Sequence, residues 1–370
     1  MEQEMVNARE GTMIWRDHYR ALSDLRRGVP VAIQFNDQAL LVVSLELALE
    51  ENVAELENLS RQRPKILLTR ERAAHLKISF AQDATCLAWP QWVPLDELIA
   101  LGDPTKDLAT PLKGPFQACD SGAPQSVQVA ALQLLKQAQL LPVGLIVTCA
   151  LEALEAADIL VLNADQITAF AATEAQGLRP VVHAHLPLKG AEDARVFVFR
   201  PVDGGIEHLA IIVGQPHPDK PVLTRLHSEC LTGDVLGSLK CDCGEQLRGA
   251  LDAISKAGGG ILLYLAQEGR GIGLVNKLRA YNLQDQGYDT VDANLGLGFG
   301  VDERFFAPAA VMLKKLGFKR ILLLTNNPDK VEALSHFGIK VEERVPHKFP
   351  SNGHNETYLK TKRDRTGHLL

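Results

Sequence analysis

Apolar residues recur along this chain in two rhythms. Short unbroken runs, VAIQF at 31–35, KILLT at 65–69 and LPVGLIV at 141–147, predict strands. Helical spacing of apolar positions predicts helices over 45–59, 126–139 and 164–176, the last ending near Gly177. Farther on, strand and helix alternate more regularly. Strands are predicted at 222–228 and 260–266, the second followed by a glycine-rich turn and a helix over 274–286. A helix over 307–316 closes at Gly317, and a strand at 320–325 leads to a helix over 329–337 that closes at Gly338. Pro328 suits the first position of that last helix. Residues 84–125, rich in Pro, Gly, Asp and Thr, read as a long irregular connection. The pattern predicts an α/β (α+β) chain of two domains, 1–195 and 196–370, each a mixed sheet with flanking helices. The polar, basic tail after Pro346 reads as a surface extension.

Length agrees with two domains, since 370 residues exceed what one ordinary core needs. Hydrophobic residues at 46% and charged residues at 23% exclude a disordered or collagen-like chain. The longest apolar run, Leu141 to Leu151, is about half of the roughly 20 residues a membrane helix needs, so no membrane partner is expected. The start, MEQEMVNARE, is acidic and polar without a secretory pattern, and a cytoplasmic protein is expected. A net charge of −6 argues against a general nucleic-acid binder. The charge is uneven: residues 1–200 hold 18 basic against 25 acidic side chains, residues 201–370 hold 21 against 20. The second half is the one with room for an anion.

Of six cysteines, Cys86, Cys119 and Cys149 are scattered among apolar neighbours and read as buried free thiols. Cys230, Cys241 and Cys243 are clustered, and three thiolates at this spacing can close on one Zn2+. With three protein ligands, one position stays open to water, as in a hydrolytic site; with His227 completing the shell, the site is structural. Gln267-Glu268-Gly269-Arg270-Gly271-Ile272-Gly273 lies between a strand and a helix and is either an anion cradle or a tight turn. It matches neither the dinucleotide nor the P-loop pattern. Thr325-Asn326-Asn327-Pro328-Asp329-Lys330 is likewise a second cradle or a plain helix cap. Asp302-Glu303-Arg304 alone reads as a cap with solvated charge. A zinc-activated water together with two cradles points to hydrolysis of a nucleotide.

From about residue 196 onward the chain closely resembles GTP cyclohydrolase II. The resemblance is carried by RLHSECLTGDVLGSLKCDCGEQL (225–247), LYLAQEGRGIGLVNKLRAYNLQDQGYDTVDAN (263–294), LGFGVDER (297–304), LLTNNPDKVEAL (323–334) and ERVP (343–346), in the family's order. It implies that Cys230, Cys241 and Cys243 bind one catalytic zinc per subunit. It implies GTP contacts at Arg225, Leu226, His227, Ser228, Glu229, Gln246, Glu268, Gly269, Arg270, Thr290, Thr325 and Lys330. Asp302 matches the family's proton acceptor, Arg304 its assigned nucleophile, and Tyr281 a tyrosine needed for the hydrolysis. The implied reaction converts GTP to 2,5-diamino-6-hydroxy-4-(5-phosphoribosylamino)pyrimidine, formate and pyrophosphate, the first step of riboflavin biosynthesis. Mg2+ would ride on the triphosphate, and a homodimer is the family's habit. One assignment pulls against the residue's own chemistry: a guanidinium is essentially always protonated, so Arg304 by itself reads as a clamp on the α-phosphate.

Residues 20–190 resemble a worn 3,4-dihydroxy-2-butanone 4-phosphate synthase. LRRGVPVAIQFND is similar to its opening strand, VAALQLLKQAQLLPVGLIV to a late helix and strand, and ADQITAFAATEAQGLRPVVHAHLPL to its final helix and strand. The synthase's acidic run is missing after Asp37, where Gln38-Ala39-Leu40-Leu41-Val42-Val43 stands, and its Arg-x-Gly-His-Thr-Glu segment is replaced by SGAPQSVQV. A non-catalytic first domain is expected. The competing expectations are a GTP-binding pseudoenzyme or regulatory scaffold, and a GTP ring-opening enzyme of another pathway.

Overall fold

The computed structural model describes residues 15–78, 82–111, 113–155, 157–202 and 204–369, so the N-terminal stretch read as free of a secretory signal lies outside it. In chain order come α1 (15–26), β1 (Val31–Phe35), β2 (Gln38–Ser44), α2 (Glu50–Ser60), β3 (Lys65–Thr69), α3 (Arg70–His75) and β4 (Ala84–Ala88). Then follow α4 (Leu95–Gly102), α5 (Gln125–Gln137), β5 (Val143–Ala150), α6 (Glu152–Glu155), β6 (Val161–Asn163), α7 (Ala164–Gln176) and β7 (Arg179–His185). Next are β8 (Arg195–Arg200), β9 (His208–Gly214), β10 (Val222–Ser228), α8 (Cys243–Lys256), β11 (Gly259–Leu265), α9 (Gly273–Asp285) and α10 (Thr290–Gly296). The chain closes with α11 (Ala307–Lys315), β12 (Arg320–Leu324), α12 (Pro328–His336), β13 (Lys340–Val345) and α13 (Glu356–Arg365). Two compact units result. One runs to Phe170 and also takes in Val275–Glu303; the other holds Ala171–Leu274 and the chain from Arg304 onward.

In the first unit a six-stranded sheet is ordered β4-β3-β5-β2-β1-β6, antiparallel except for the β1–β6 pair. Val31, Ile33, Leu40 and Val42 pack one face against α1 and α5, while Ala32, Leu41 and Val43 pack the other against α2 and α4. Both faces are dry, which is why these strands read as unbroken apolar runs. The helix expected over 45–59 starts only at Glu50, because Leu45–Leu47 form a single 3-10 turn that ends on extended Ala48. Residues 84–125 are also more regular than their composition suggests. ATCLA pairs with β3 as a sheet-edge strand, and α4 begins directly after Pro94, where no helical N–H is required. Cys86 and Cys149 are buried free thiols; Cys119 is half-buried, its sulfur 3.4 Å from that of Cys86.

The second unit carries a seven-stranded sheet ordered β13-β12-β10-β11-β9-β8-β7. β13, β12, β10 and β11 are parallel, and β9, β8 and β7 continue the sheet antiparallel. Here the structure departs from the division placed at residue 195. β7 pairs with β8 from Arg179↔Arg200 to His185↔Arg195, so the second sheet already begins at Arg179. The side chains of β7 are exposed throughout, so its backbone ladder and not its apolar pattern assigns it to this sheet. The tail is not a surface extension either. Thr361 and Lys362 of α13 are buried, and a Cβ on Gly249 of α8 would lie only 2.2 Å from the Phe349 ring. Among the described residues no helix is long and apolar enough to cross a membrane.

Candidate active site

Open α/β sheets collect ligands outside the carboxyl ends of their parallel strands, and the polar residues of the second unit gather there. Arg225, Leu226, His227 and Ser228 end β10, and Glu229 follows. Leu226 belongs to the apolar core. The other three of that quartet each hold a buried atom without a hydrogen-bond partner: Arg225 Nε, His227 Nδ1 and Ser228 Oγ. Buried polar atoms left open at a strand end fit a polar ligand. Arg225 Nη1 donates to the Leu324 carbonyl at 2.9 Å, and Nη2 donates to Gln246 Oε1. Burial pushes its guanidinium down to about 10, against the pull of Asp242. Gln246 also donates to Asp242, and Asp242 accepts from Lys362 Nζ at 2.8 Å. His227 Nε2 lies 3.0 Å from both carboxylate oxygens of Asp234. Asp234 accepts further from the Tyr264 hydroxyl at 3.0 Å and the Cys230 amide at 3.1 Å. Burial lowers the His227 pKa, and Asp234 offsets only part of that.

Cys230 follows β10, and Cys241 and Cys243 stand at the start of α8. Their sulfurs all lie within 4.8 Å of one another, with Cys230 and Cys241 3.8 Å apart. Zinc at about 2.3 Å from tetrahedral thiolates separates them by roughly 3.8 Å, so the set is spaced for Zn2+. The turn over the sulfurs admits only glycine: a Cβ on Gly233 would lie 2.8 Å from Cys241 Sγ and 3.1 Å from Cys230 Sγ. The Gly233 amide instead donates to Cys230 Sγ at 3.3 Å. Among the described residues the cluster holds three cysteines, and the Nε2 of His227 is turned to Asp234.

Both expected cradles lie beside these residues. Glu268–Gly271 forms a 3-10 turn in which Gly269 and Arg270 take left-handed φ values of 64° and 62°. For arginine that backbone is strained, as at many ligand-binding turns. Glu268 accepts from the Leu231 and Gly269 amides, both at 2.7 Å, and so ties the turn after β11 to the one bearing Cys230. Beyond β12, Thr325 Oγ1 accepts the Asn327 amide at 3.0 Å, and Asn327 caps α12 by accepting the Asp329 amide at 2.9 Å. Lys330, one turn into α12, is buried and donates to the Leu226 carbonyl at 3.0 Å. Lys330 Nζ and the Arg304 guanidinium lie 5.5 and 5.4 Å from the centroid of the Phe306 ring, which gathers two positive charges.

Tyr281, Thr290 and Asp302 belong to the first unit. Tyr281 lies on α9, Thr290 opens α10 behind the capping carboxylate of Asp289, and Asp302 is exposed after Gly300. Sequence reasoning missed Asp234, Asp242, Tyr264, His347 and Lys362. Asp242 carried a signal, standing between two of the cysteines. His347 Nε2 donates to the Gln246 carbonyl at 2.9 Å, and burial lowers its pKa to about 4. Nothing in its local sequence, or in that of Lys362, marks either as part of this cluster.

A family model described as GTP cyclohydrolase II matches residues 179–346. A GTP cyclohydrolase-2 from Azospirillum brasilense is 48% identical over 361 residues, covering 95% of this chain and 93% of that protein. The chain belongs to the GTP cyclohydrolase II family. A GTP cyclohydrolase-2 from Aeromonas hydrophila is 56% identical over 172 residues, 46% of this chain and 87% of that protein. A riboflavin biosynthesis protein RibBA from Cytophaga hutchinsonii is 51% identical over 178 residues, 48% of this chain and 44% of its own length. The shorter matches span an amount of chain close to that of the family model, and the A. brasilense relative extends over both units.

Proposed function

We propose that this chain hydrolyses GTP to 2,5-diamino-6-hydroxy-4-(5-phosphoribosylamino)pyrimidine, formate and pyrophosphate, as a cytoplasmic homodimer acting at the first step of riboflavin biosynthesis. The observation that carries the proposal is the convergence of three cysteine sulfurs beside the open polar atoms of β10. Cys230, Cys241 and Cys243 hold one Zn2+ per subunit, and Mg2+ accompanies the triphosphate. When bound, zinc makes water acidic enough to react at neutral pH. Three thiolates leave the metal with its ligands at a net −1, which weakens that acidification and calls for a proton acceptor. We give that role to Asp302 and assign Tyr281 to the same hydrolysis. Arg225, His227 and Ser228 orient the nucleotide, and Lys330 and Arg304 supply positive charge for phosphate oxygens. For Arg304 the protonated clamp is the reading its chemistry favours over a nucleophile. An Arg304→Lys variant that keeps partial pyrophosphate release supports the clamp; loss of both hydrolyses favours the nucleophile.

We assign the first half of the chain no synthase activity. Where the synthase's carboxylates would stand, Ala39–Val43 form a fully buried strand, which offers no group to bind a metal or move a proton. The test is to incubate purified protein with GTP and Mg2+ and assay formate and pyrophosphate separately, with ribulose 5-phosphate consumption alongside. Both products from GTP and no ribulose 5-phosphate turnover are expected. Full formate release after zinc is stripped overturns the metal's role, and consumption of ribulose 5-phosphate overturns the reading of the first half. GTP binding without either product marks a sensor, and sedimentation checks the dimer.

A further inference from the structure

Residues Val275–Glu303 lie inside the stretch matched by the family model, yet they pack as part of the first unit. The groups that hold them come from the half that carries no visible chemistry. We propose that the first half serves as the positioning frame for this segment, and that the Lys136–Glu303 ion pair sets the loop bearing Asp302. The inference rests on the role given to Asp302 above.

Three attachments carry it. On α9, Arg279 pairs with Glu46 at 2.8 Å, ahead of Tyr281. At the end of α10, Arg72, wholly buried and forked onto Asp107 at 2.8 and 2.9 Å, donates to the Gly296 carbonyl at 3.3 Å. The chain passes so close there that a Cβ on Gly298, with φ +87°, would lie 2.8 Å from Thr69 Oγ1. At the far end, Lys136 Nζ reaches Glu303 Oε1 at 2.6 Å, and the same oxygen accepts the Gly300 amide at 2.6 Å. Glu303 thereby closes a short loop, Gly300 to Glu303, with Asp302 inside it, and Lys136 on α5 pins that loop to the first sheet's helical layer. The Lys136 and Glu303 side chains keep 24% and 25% exposure, so the pair adds little to global stability. A displaced catalytic group is costly even over about 1 Å. Lys136 is on this argument a positioning residue.

The experiment compares wild type, Lys136→Met, Lys136→Arg and Asp302→Asn by GTP kinetics, thermal midpoint and hydrogen exchange of peptides covering 297–303. For Lys136→Met we expect kcat for formate release to fall about 10-fold with KM within about threefold, in line with modest displacement of a reacting group. Its thermal midpoint stays near wild type, exchange at 297–303 quickens as the Gly300 amide loosens, and Lys136→Arg restores rate and protection. A kcat within twofold of wild type, or unchanged exchange, overturns the frame. Full activity in Asp302→Asn overturns the role of Asp302 instead, while exchange in Lys136→Met still decides whether the pair holds the loop. If wild type releases no formate, the functional reading fails and the exchange arm alone judges the frame.

Discussion

Each unit of this chain buries an arginine, and the two arginines are satisfied in opposite ways. In the first unit Arg72 is sunk among Asp107 and the carbonyls of Leu101 and Gly296, with every polar contact directed at the protein itself. Burial would push the Asp107 carboxyl up, but His75, Arg72 and Lys113 outweigh it and hold the group well below the carboxylate range. In the second unit Arg225 is as deeply placed, yet its Nε has no partner, and His227 and Ser228 beside it are likewise incomplete. A satisfied network stabilises a frame; a network with open valences waits for a ligand. The contrast lies between these two clusters and not between whole units, since Ser44 Oγ and Thr85 Oγ1 of the first unit are also buried without a hydrogen-bond partner.

The sharpest way to break this contrast is to change one cysteine in each unit. Cys241→Ser should remove stoichiometric zinc and lower formate release by about 1,000-fold or more, whereas Cys149→Ala should leave metal content and turnover unchanged. Equal losses in both, read by metal analysis and formate assay, would erase the distinction. Next in size is Lys362→Met, which strands the buried Asp242 carboxylate and should cost about 3–5 kcal/mol in urea unfolding. Arg363→Met, one residue on, breaks only an exposed pair and should leave the unfolding midpoint in place.

Smaller still is a pH effect shared by the units. Burial lowers His18 in the first unit and His208 in the second to about 4, with Gln137 pulling His18 partly back. Both are neutral in the folded protein at neutral pH, while the unfolded chain takes up protons near about 6.5. Stability is therefore full above about pH 6.5 and is lost as pH falls toward 4. Each histidine should contribute a loss of about 2 kcal/mol between pH 7.5 and 5. Replacing either one with Gln should flatten the slope of urea stability against pH, and an unchanged slope would deny that burial sets the titration.

Much of this molecule was legible before its folding was known. VAIQF, KILLT and RILLL are strands because largely apolar runs need two dry faces, and the sheets supply them. The cysteine spacing predicted that the three sulfurs converge, and they do, because only the turn from Cys230 to Cys243 separates them along the chain. What stayed hidden depends on partners far apart. β7 gains its place only through its ladder with β8, and β4 is a five-residue edge strand masked by the prolines that follow it. Lys362 sits 120 residues from Asp242, in a segment whose basic composition matches any solvated tail. For His227 the sequence left both metal binding and a supporting role open, and its contact with Asp234, seven residues on, shows only in the fold.

The contact of Lys362 with Asp242 also ties the cysteine cluster to a distant part of the chain. Asp242 lies between two of the sulfurs, and the ammonium that neutralises it stands 120 residues farther along the chain, on α13. Any cut or unravelling that frees α13 from α8 would leave the three thiols in place beside an uncompensated carboxylate. Clipping the chain ahead of α13 should thus weaken the grip of the cysteines on a cation, although none of them is touched by the cut.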